Sequence, residues 1–592
     1  MKIFKYLKKR DMLMVVFCIG LVVLQVWLEL TMPDYTKKLT EAVSAQRADM
    51  DTVYENGGKM LLCAVGSMIG AFVCGLFGAK IAGNFARTLR RELFYKVQSF
   101  SDREINYFTT PSLITRTTND VVQQQTLIAM GLMMLIKAPI TAIWAIGKIS
   151  NSSVSWTSAV AICVIVILVT IGTLVGICYP RFKEIQRLTD SLNDVTRENL
   201  TGVRVVRAFN AEEYQQEKFG KVNEKITKNH LFTSRTMGLM MPIMTTAMSG
   251  LTLAIYWIGA YLIEEAPGME KAVRMGEMMA FTQYALQVVI AFMMLVMIFV
   301  ILPRAMVSAK RINEVLDADS SINFGNCPDE QAEGEKQGGS VEFKNVSFTY
   351  NEGSKDYCLK DLNFKIEPGE TFAIIGATGS GKTSLVNLLP RFYDVSAGEL
   401  LIDGRNIKEY SEQGLEKKIS IAPQRAVLFA GNVGQNISYG SGDDTESEEF
   451  KQKAEKAVEI ANADFVLNGP FGFKAEVAQG GTNYSGGQKQ RLSIARAVYK
   501  DAEIYIFDDT FSALDYKTDM LVRKAIREEM GKKTVIIVAQ RIGTIKNADK
   551  ILVLHEGSIA GIGKHEELLE NCEIYREIAL SQLSEEELKG AV

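Results

Sequence analysis

Six long apolar stretches dominate the first half of the chain. They lie at residues 12–32, 60–82, 127–148, 154–178, 239–263 and 278–303. Each is close to the roughly 20 residues that a helix needs to cross the hydrocarbon core of a bilayer. Beyond residue 340 no such stretch occurs. The pattern therefore predicts an α-helical membrane domain with six transmembrane helices, followed by a soluble domain.

Polar segments divide the chain around these stretches. The N-terminal segment interleaves lysine with apolar side chains, which is typical of a helix that lies on a membrane surface. The two longest polar segments of the first half, at 83–126 and 179–238, are rich in helix-forming residues. We therefore expect transmembrane helices to continue past the bilayer. The predicted divisions are an interfacial elbow helix at 1–11, a transmembrane domain at 12–317 with cytoplasmic loops at 83–126 and 179–238, a linker at 318–340, a second domain at 341–580 and a C-terminal tail at 581–592.

Basic residues near the ends of the stretches predict the orientation in the membrane. Five precede the first stretch, and the loop at 84–120 carries six more, whereas the segment 149–153 is uncharged and 264–270 carries three glutamates. The N-terminus and the second domain are therefore predicted to be cytoplasmic, with the chain in the plasma membrane. A cleaved secretory signal is disfavoured because the first apolar run is long and lacks a small-x-small cleavage site.

The amino-acid composition argues mainly against certain classes of function and site. The 592 residues are 47% hydrophobic and 23% charged with a net charge of −3, which gives no bias toward nucleic acid. The eight cysteines include no C-x-x-C pair, so neither a zinc site nor a disulfide framework is indicated. Three histidines, His230, His555 and His565, leave little room for imidazole catalysis or metal ligation.

The strongest motif of the chain is TFAIIGATGSGKTSLVNLL. An apolar strand, Phe372 to Ile375, precedes a glycine-rich turn and a helical pattern, which is the context of a P-loop. Glycines let backbone N–H groups surround phosphates, Lys382 adds a positive charge, and the Thr383 hydroxyl can ligate Mg²⁺. ATP and Mg²⁺ are thus the predicted ligands. The predicted ATP-binding residues here are Gly376, Ala377, Thr378, Gly379, Ser380, Gly381, Lys382, Thr383 and Ser384.

A second apolar strand, Ile504 to Phe507, ends in Asp508. A carboxylate at such a strand end can hold the magnesium ion that bridges the phosphates. Together with the P-loop, this strand predicts a soluble α/β P-loop nucleotide-binding domain.

Between these two motifs lies NYSGGQKQRLSIARAV, and with it residues 341–570 resemble the nucleotide-binding domain of an ATP-binding cassette (ABC) transporter. Six preceding spans resemble the exporter architecture of that family, and 110–120 and 198–213 resemble its two coupling-helix regions. The resemblance implies a role for each matching position. Tyr350 would stack on adenine, Gln424 would sense magnesium alongside Thr383 and Asp508, Asp515 would lie in the D-loop, and Tyr484, Ser485, Gly486, Gly487 and Gln488 would form the signature.

A signature of this kind works across an interface. Ser485 and the N–H groups of Gly486 and Gly487 stand at a helix start, which is a second anion site. Two cassettes can therefore hold one ATP between the P-loop of one and the signature of the other. The resemblance thus implies a dimer of half-transporters.

Two positions depart from the family. Asp509 stands where a glutamate normally acts as general base, and the missing methylene withdraws the carboxylate by roughly 1.5 Å. Gln540 replaces the switch histidine and can donate a hydrogen bond but carries no charge. We expect Mg-ATP binding with slow or no hydrolysis. A heterodimer is therefore indicated, resembling the asymmetric bacterial exporters, in which this signature completes the partner's site.

Three further positions also differ from the family pattern. Tyr484 replaces the usual leucine of the signature, and Gln479 and Gly480 replace charged residues.

The composition of the last two spans and a few polar residues within the spans bear on the transported compound. Thirteen of the 25 methionines lie between Met237 and Met306, which suits a promiscuous apolar cavity but equally suits packing against lipid or within the core. Lys137 within the third span is a functional-site hypothesis, with snorkelling as the alternative. Other lining candidates on the sixth span are Gln283, Tyr284, Gln287 and Phe292.

The leading functional hypothesis is ATP-driven export of small amphipathic, multidrug-like compounds across a lipid bilayer. Alternatives are export of a specific peptide or lipid, uptake by an exporter-shaped permease, and a regulatory ATP-binding subunit. The six spans exclude a soluble cassette acting on nucleic acid.

Overall fold

The computed structural model describes residues 2–44, 49–150, 154–268, 270–325, 338–351 and 356–582. The chain divides into two compact units. The first spans Met1–Gln98 and Pro111–Ala318, and the second spans Ser99–Thr110 and Asp319–Val592. Parts of the predicted linker (326–337), tail (583–592) and uncharged segment (151–153) lie outside the described residues.

Long α-helices form the part of the chain before the linker. A 3₁₀ turn at Lys2–Tyr6 precedes them, and a π-helical turn at Arg116–Asp120 interrupts them. The α-helices are α1 (Lys9–Ser44), α2 (Met50–Gln98), α3 (Asp102–Phe108), α4 (Thr110–Thr115), α5 (Val121–Ser150), α6 (Val154–Thr201), α7 (Val203–Ala208), α8 (Glu212–Gly238), α9 (Met240–Glu264) and α10 (Glu270–Leu316).

Six helical stretches in the described residues are long and apolar enough to cross a membrane. They are Lys9–Ser44, Met50–Gln98, Thr110–Ser150, Val154–Thr201, Glu212–Glu264 and Glu270–Leu295. Each of the six apolar sequence stretches overlaps one of them, so the predicted helical domain is confirmed as one with six candidate spans. With 49 residues in α2 and 48 in α6, these helices reach about 70 Å at 1.5 Å per residue, far longer than a bilayer core.

Two details differ from the sequence-based boundaries. The elbow is a 3₁₀ turn rather than a helix over 1–11, with Ile3 fully buried and α1 beginning at Lys9. The segment Ser99–Thr110, which we predicted to belong to the transmembrane domain, packs with the second unit. There Asn106 Nδ2 donates to Tyr393 Oη at 3.0 Å, and the Ser101 and Ser321 hydroxyls lie 2.9 Å apart.

Two charged side chains within the spans, Lys137 and Glu29, are paired with each other. Lys137 Nζ on α5 lies 2.8 Å from Glu29 Oε1 on α1. The same oxygen accepts hydrogen bonds from Gln25 Nε2 at 2.8 Å and from Ser67 Oγ on α2 at 3.1 Å. An unpaired charge in hydrocarbon is costly, and this group of four side chains, the Glu29 cluster, neutralises both charges while joining three helices.

Two other predicted lining residues also contact α1. Tyr284 Oη donates to Asp34 Oδ1 at 2.6 Å, and Gln283 Nε2 donates to Thr36 Oγ1 at 3.3 Å. Asp34 also pairs with Lys148 on α5 at 2.6 Å. The polar atoms of these side chains thus make interhelical contacts that link α10 and α5 to α1.

The methionine-rich region 237–306 contains both buried and exposed positions. Met244 is 3% exposed, whereas Met241 is 66% exposed. Gln287 and Phe292 are partly buried. The distribution is compatible with both readings of the methionines, packing and substrate contact.

The part of the chain after the linker is an α/β cassette. Its strands are β1 (Val341–Phe348), β2 (Leu359–Ile366), β3 (Thr371–Ile375), β4 (Ala397–Ile402), β5 (Arg405–Asn406), β6 (Ile419–Ala422), β7 (Gly431–Asn432), β8 (Glu476–Val477), β9 (Ile504–Asp508), β10 (Thr534–Val538), β11 (Lys550–His555) and β12 (Ser558–Gly563). Its helices are α11 (Lys382–Leu388), α12 (Glu412–Lys418), α13 (Val433–Ile437), α14 (Glu448–Ile460), α15 (Gly486–Tyr499), α16 (Tyr516–Glu529), α17 (Ile542–Ile545), α18 (His565–Asn571) and α19 (Glu573–Leu580).

The central sheet of the cassette has six strands in the order β12-β11-β3-β10-β9-β6. The five strands from β11 to β6 are parallel, and β12 is an antiparallel edge. Strands β9 and β10 are buried at every residue, as expected for a parallel sheet covered on both faces. A four-stranded antiparallel sheet, β2-β1-β4-β5, adds a second layer. One hydrophobic core, the α15 core, packs α13 to α19 on the parallel sheet, and another lies between the two sheets.

We expect the Glu29 cluster to stabilise the helical unit. Lys137→Met leaves the Glu29 carboxylate without its cation, so the free energy of unfolding should fall by about 1–3 kcal/mol. Combining Lys137→Met with Glu29→Gln removes both charges and should recover part of that loss. Thermal unfolding of the detergent-purified chain measures both effects.

The matched control is Lys59→Met, which breaks an exposed pair with Glu55 on α2 and should leave the unfolding temperature unchanged. Equal unfolding temperatures for Lys137→Met and the unaltered chain would contradict a stabilising role of the cluster.

Candidate functional site

Four neighbouring parallel strands end at the same edge of the cassette sheet. β3 leads into the P-loop, β9 ends at Asp508, β10 precedes Gln540, and β6 precedes Gln424. The register aligns Val538 with both Asp508 and Ile374, so these strand ends are level. Ligands of open α/β sheets bind outside the carboxyl ends of the strands, which makes this edge the candidate site.

The P-loop backbone depends on its glycines. Gly379 and Gly381 have φ angles of 84° and 101°, in the left-handed region that favours glycine. A Cβ at Gly376 would overlap the carbonyl oxygen of Leu554. Among the other predicted residues, Ala377 and Thr378 are exposed at the loop, as is Thr383, whereas Ser380 and Ser384 are buried.

Lys382 folds back onto the loop that precedes it. Its Nζ donates to the carbonyl oxygens of Gly376 at 2.8 Å and Ala377 at 2.9 Å. Burial lowers the pKa of the Lys382 ammonium, and the carboxylates of Asp509 and Asp508 act in the opposite direction. The loop carbonyls thus hold the ammonium beside the turn that would surround a phosphate.

Asp508 is a buried carboxylate with unused hydrogen-bonding capacity. Burial, assisted by the charge of Asp509, raises its pKa to about 6, while the Thr383 hydroxyl and Lys382 act to lower it. Asp508 Oδ1 and Ser380 Oγ are buried without a hydrogen-bond partner among the described residues. A carboxylate oxygen beside a threonine hydroxyl is the hard oxygen set that Mg²⁺ prefers, so these residues fit a magnesium ion.

Asp509 accepts two side-chain hydrogen bonds on one oxygen. Gln540 Nε2 donates to Asp509 Oδ2 at 2.9 Å, and Gln424 Nε2 donates to the same oxygen at 3.2 Å. Asp509 itself adopts a left-handed φ of 46°, and its backbone N–H donates to Val538 O at 3.0 Å. The three side chains, which we name the Asp509 bridge, join the loops that follow β6, β9 and β10.

Tyr350 presents an aromatic ring near the P-loop helix. Its hydroxyl lies 2.8 Å from Ser384 Oγ, and the ring is 44% exposed. Tyr393 packs edge-on against it, with ring centroids 5.1 Å apart. An exposed ring fixed by such contacts can serve as a stacking surface.

The signature residues lie at the start of α15. Ser485 Oγ accepts from Gln488 N, and Gln488 Oε1 accepts from Ser485 N, which is a capping box. Gly486 has open space around its Cα, whereas a Cβ at Gly487 would contact Ala513 O at 3.4 Å. Tyr484 Oη donates to Glu476 O at 3.3 Å. The capping interactions of the signature are thus local to this helix start.

Asp515, the predicted D-loop residue, caps α16. Its carboxylate accepts from the Thr518 N–H at 3.1 Å, and this hydrogen bond lowers the pKa of the carboxyl. Gln582, which no sequence pattern indicated, contacts the backbone of Gln540 from 42 residues away, with Nε2 donating to the carbonyl oxygen at 2.7 Å. Such a contact leaves no local signal in the sequence.

Comparison with known proteins identifies both units. The family description "ABC transporter" matches residues 359–512, and "ABC transporter transmembrane region" matches residues 15–292. An uncharacterized ABC transporter ATP-binding protein of Mycobacterium tuberculosis is 38% identical over 525 residues, covering 89% of this chain and 87% of that protein. A similarly described Bacillus subtilis protein is 31% identical over 543 residues, 91% of each chain.

Two further similarities concern lipid transport and fold. An ATP-dependent lipid A-core flippase of Hahella chejuensis is 32% identical over 521 residues, 87% of this chain and 86% of the flippase. A solved bacterial Atm1-family ABC exporter with ATP bound aligns with a TM-score of 0.79 at 24% identity, covering 97% of this chain and 98% of that one. With relatives 31–38% identical over 87–91% of its length, this chain belongs to the ABC transporters that fuse a transmembrane region to an ATP-binding domain, and its fold is that of an ABC exporter.

Proposed function

We propose that this chain is one subunit of a heterodimeric, ATP-driven exporter and that its own nucleotide site binds Mg-ATP with slow or no hydrolysis. The observation that carries the proposal is the Asp509 bridge. Both amides donate to the only carboxylate that stands at the position of the general base. The chain lies in the plasma membrane with its N-terminus and cassette in the cytoplasm, as the basic residues near the spans favour.

The chemistry of the bridge argues against proton abstraction by Asp509. A carboxylate oxygen has two lone pairs, and Oδ2 directs both toward amide N–H groups, which fixes the orientation of the side chain and leaves Oδ1 to accept a proton. The side chain is also shorter than glutamate by one methylene, about 1.5 Å, and misplacement by about 1 Å can cost on the order of 100-fold in rate. Gln540 can donate to a phosphate oxygen but cannot carry a proton as an imidazole can.

ATP binding is proposed for residues that keep the family pattern. The P-loop amides from Gly376 to Ser384 and the Lys382 ammonium bind the phosphates, and Tyr350 stacks on the adenine. Thr383, Asp508 and Gln424 hold Mg²⁺, which neutralises charge on the phosphates when bound. The unpartnered Asp508 Oδ1 supports this assignment.

The signature of this chain supports the proposal that it associates with a second half-transporter. Ser485 to Gln488 form a complete capped helix start, at which the exposed Ser485 and Gly486 suit an anion. In a heterodimer this signature completes the site of a second ABC half-transporter that keeps its glutamate and histidine. The partner then provides hydrolysis, while this chain's site provides a persistent ATP-bound contact.

The proposed substrates are small amphipathic compounds. The methionine-rich fifth and sixth spans favour an adaptable apolar surface. Lipid export is the second candidate, because similar proteins include lipid A-core flippases at 31–32% identity.

One prediction concerns ATPase activity. The purified chain alone should bind ATP but turn it over at background rate, and the double variant Asp509→Glu/Gln540→His should raise the ATPase rate of the complex with the partner half-transporter, because this chain's site then regains a longer carboxylate and an imidazole. Initial rates of phosphate release in detergent measure this. Adding Lys382→Ala to the double variant should abolish the gain, and vigorous turnover by the unaltered chain would overturn the proposal.

A second prediction concerns asymmetry in the complex purified through a tag on this chain. Ser485→Arg should abolish its ATPase because it blocks the partner's site, whereas Asp509→Asn should leave the rate nearly unchanged because this site contributes little. Recovery of a homodimer, or equal losses for both variants, would contradict the heterodimer.

Substrate class is tested with the same complex in proteoliposomes. Amphipathic cations and neutral drugs should stimulate ATPase more than lipid A-type glycolipids do. The opposite ranking would favour the lipid candidate. Lys137→Ala should change the ranking only if Lys137 contacts substrate, and an unchanged ranking assigns it to the Glu29 cluster alone.

A further inference from the structure

The last helix of the cassette ends beside the loop that carries Gln540. α19 fully buries Tyr575 and Ala579 in the α15 core, and the Tyr575 hydroxyl lies 2.7 Å from His565 Nδ1. Ile542 and Ile545 of α17 belong to the same core. Because interiors are close-packed, this shared core holds the end of α19 in place against the start of α17.

Gln582, just beyond α19, makes two hydrogen bonds to that loop. Its Nε2 donates to the Gln540 carbonyl oxygen at 2.7 Å, and its Oε1 accepts from the Ile542 N–H at 2.9 Å. The N-cap residue of α17, Arg541, makes no side-chain capping bond. The first N–H groups of a helix have no partner within it, so Gln582 supplies the cap that Arg541 does not.

The two bonds hold the backbone on both sides of Arg541. From the same loop, the Gln540 side chain reaches Asp509 Oδ2 at 2.9 Å. Restraining the carbonyl of Gln540 and the amide of Ile542 together limits rotation of the loop and therefore the direction of the Gln540 side chain. A glutamine suits this task because one side-chain amide both donates and accepts.

We propose that Gln582 is a positioning residue for nucleotide recognition, which holds the Gln540 loop where the Gln540 amide can reach the γ-phosphate of ATP. The inference rests on the proposed role of Gln540 and deepens it, because it assigns part of the discrimination between ATP and ADP to the C-terminal helix. ADP has no γ-phosphate, so its affinity does not depend on this contact.

The test compares ATP and ADP binding to the full-length chain in detergent with Mg²⁺ present. Gln582→Met removes both hydrogen bonds at similar size and should weaken ATP binding roughly 3- to 10-fold while leaving ADP binding unchanged, as expected for one misplaced hydrogen bond. Gln582→Glu keeps the acceptor for Ile542 but places a carboxylate oxygen against the Gln540 carbonyl, so it should also lower the ATP preference.

Ser581→Ala is the matched control, since the Ser581 hydroxyl donates only within its own helix end, to Ile578 O at 2.7 Å. It should leave both affinities unchanged. Equal weakening of ATP and ADP by Gln582→Met, or no change in either, would overturn the inference.

Gln540→Ala separates this inference from the proposed function. If Gln540→Ala removes the ATP preference and Gln582→Met does not, only the role of Gln582 fails. If the unaltered chain binds ATP and ADP equally, the γ-phosphate role of Gln540 fails and the role of Gln582 fails with it.

Discussion

One carboxylate oxygen, Asp509 Oδ2, connects three loops at the nucleotide edge of the cassette. It accepts hydrogen bonds from Gln424, which follows β6, and from Gln540, which follows β10, while Asp509 itself follows β9. Asp509 and Gln540, the two residues proposed to set this nucleotide site apart, both take part in the bridge. An aspartate is short enough to remain beside the strand ends, and a neutral glutamine amide supplies a donor without a titratable ring. Both contacts engage Oδ2 of the carboxylate, which supports the proposal that Asp509 is a poor general base.

The loop that carries Gln540 of the Asp509 bridge is also held through its backbone by Gln582, the last described residue of the chain. Gln582 bonds to the loop of Gln540, and the α15 core anchors α19 through Tyr575. A loop that is held from both sides loses little conformational entropy when a ligand binds. Such preorganisation lowers the entropic cost of binding a nucleotide at this edge of the sheet.

Charge pairing follows a similar logic in the helical unit. Glu29 Oε1 has three partners on three helices, as Asp509 Oδ2 has two on two loops. In an apolar environment each such oxygen must be satisfied by protein groups, so a few polar contacts specify how the helices associate. For Lys137 this pairing provides a structural role that does not require substrate.

Much of the architecture could be predicted because it depends on local patterns. Length and apolarity predict spans, and a strand followed by a glycine-rich turn and a helix predicts the P-loop between Ile375 and Lys382. What could not be predicted depends on partners distant in sequence. The motif context draws attention to Asp509, but nothing in it indicates that Oδ2 accepts from both Gln424 and Gln540. Gln582 belongs to no motif, and Glu29 is a single acid in an apolar run.

Boundary errors have a related cause. The segment 99–110 has the same helix-forming composition as its neighbours, so composition alone assigns it to the membrane domain. Its association with the second unit depends on contacts such as that between Asn106 and Tyr393. Likewise, the alternation of lysine with apolar residues at the N-terminus indicates an amphipathic surface but does not distinguish a 3₁₀ turn from an α-helix.

The central proposal is that the nucleotide site of this chain binds ATP and keeps it intact. Photolabelling of the complex under turnover conditions with 8-azido-ATP, carrying the radioactive label at either the α- or the γ-phosphate, tests it most directly. If the site keeps ATP intact, the nucleotide that couples to this chain through its adenine ring retains the α- and γ-labels equally. Retention of the α-label with loss of the γ-label on this chain would show hydrolysis at its own site and would contradict the account.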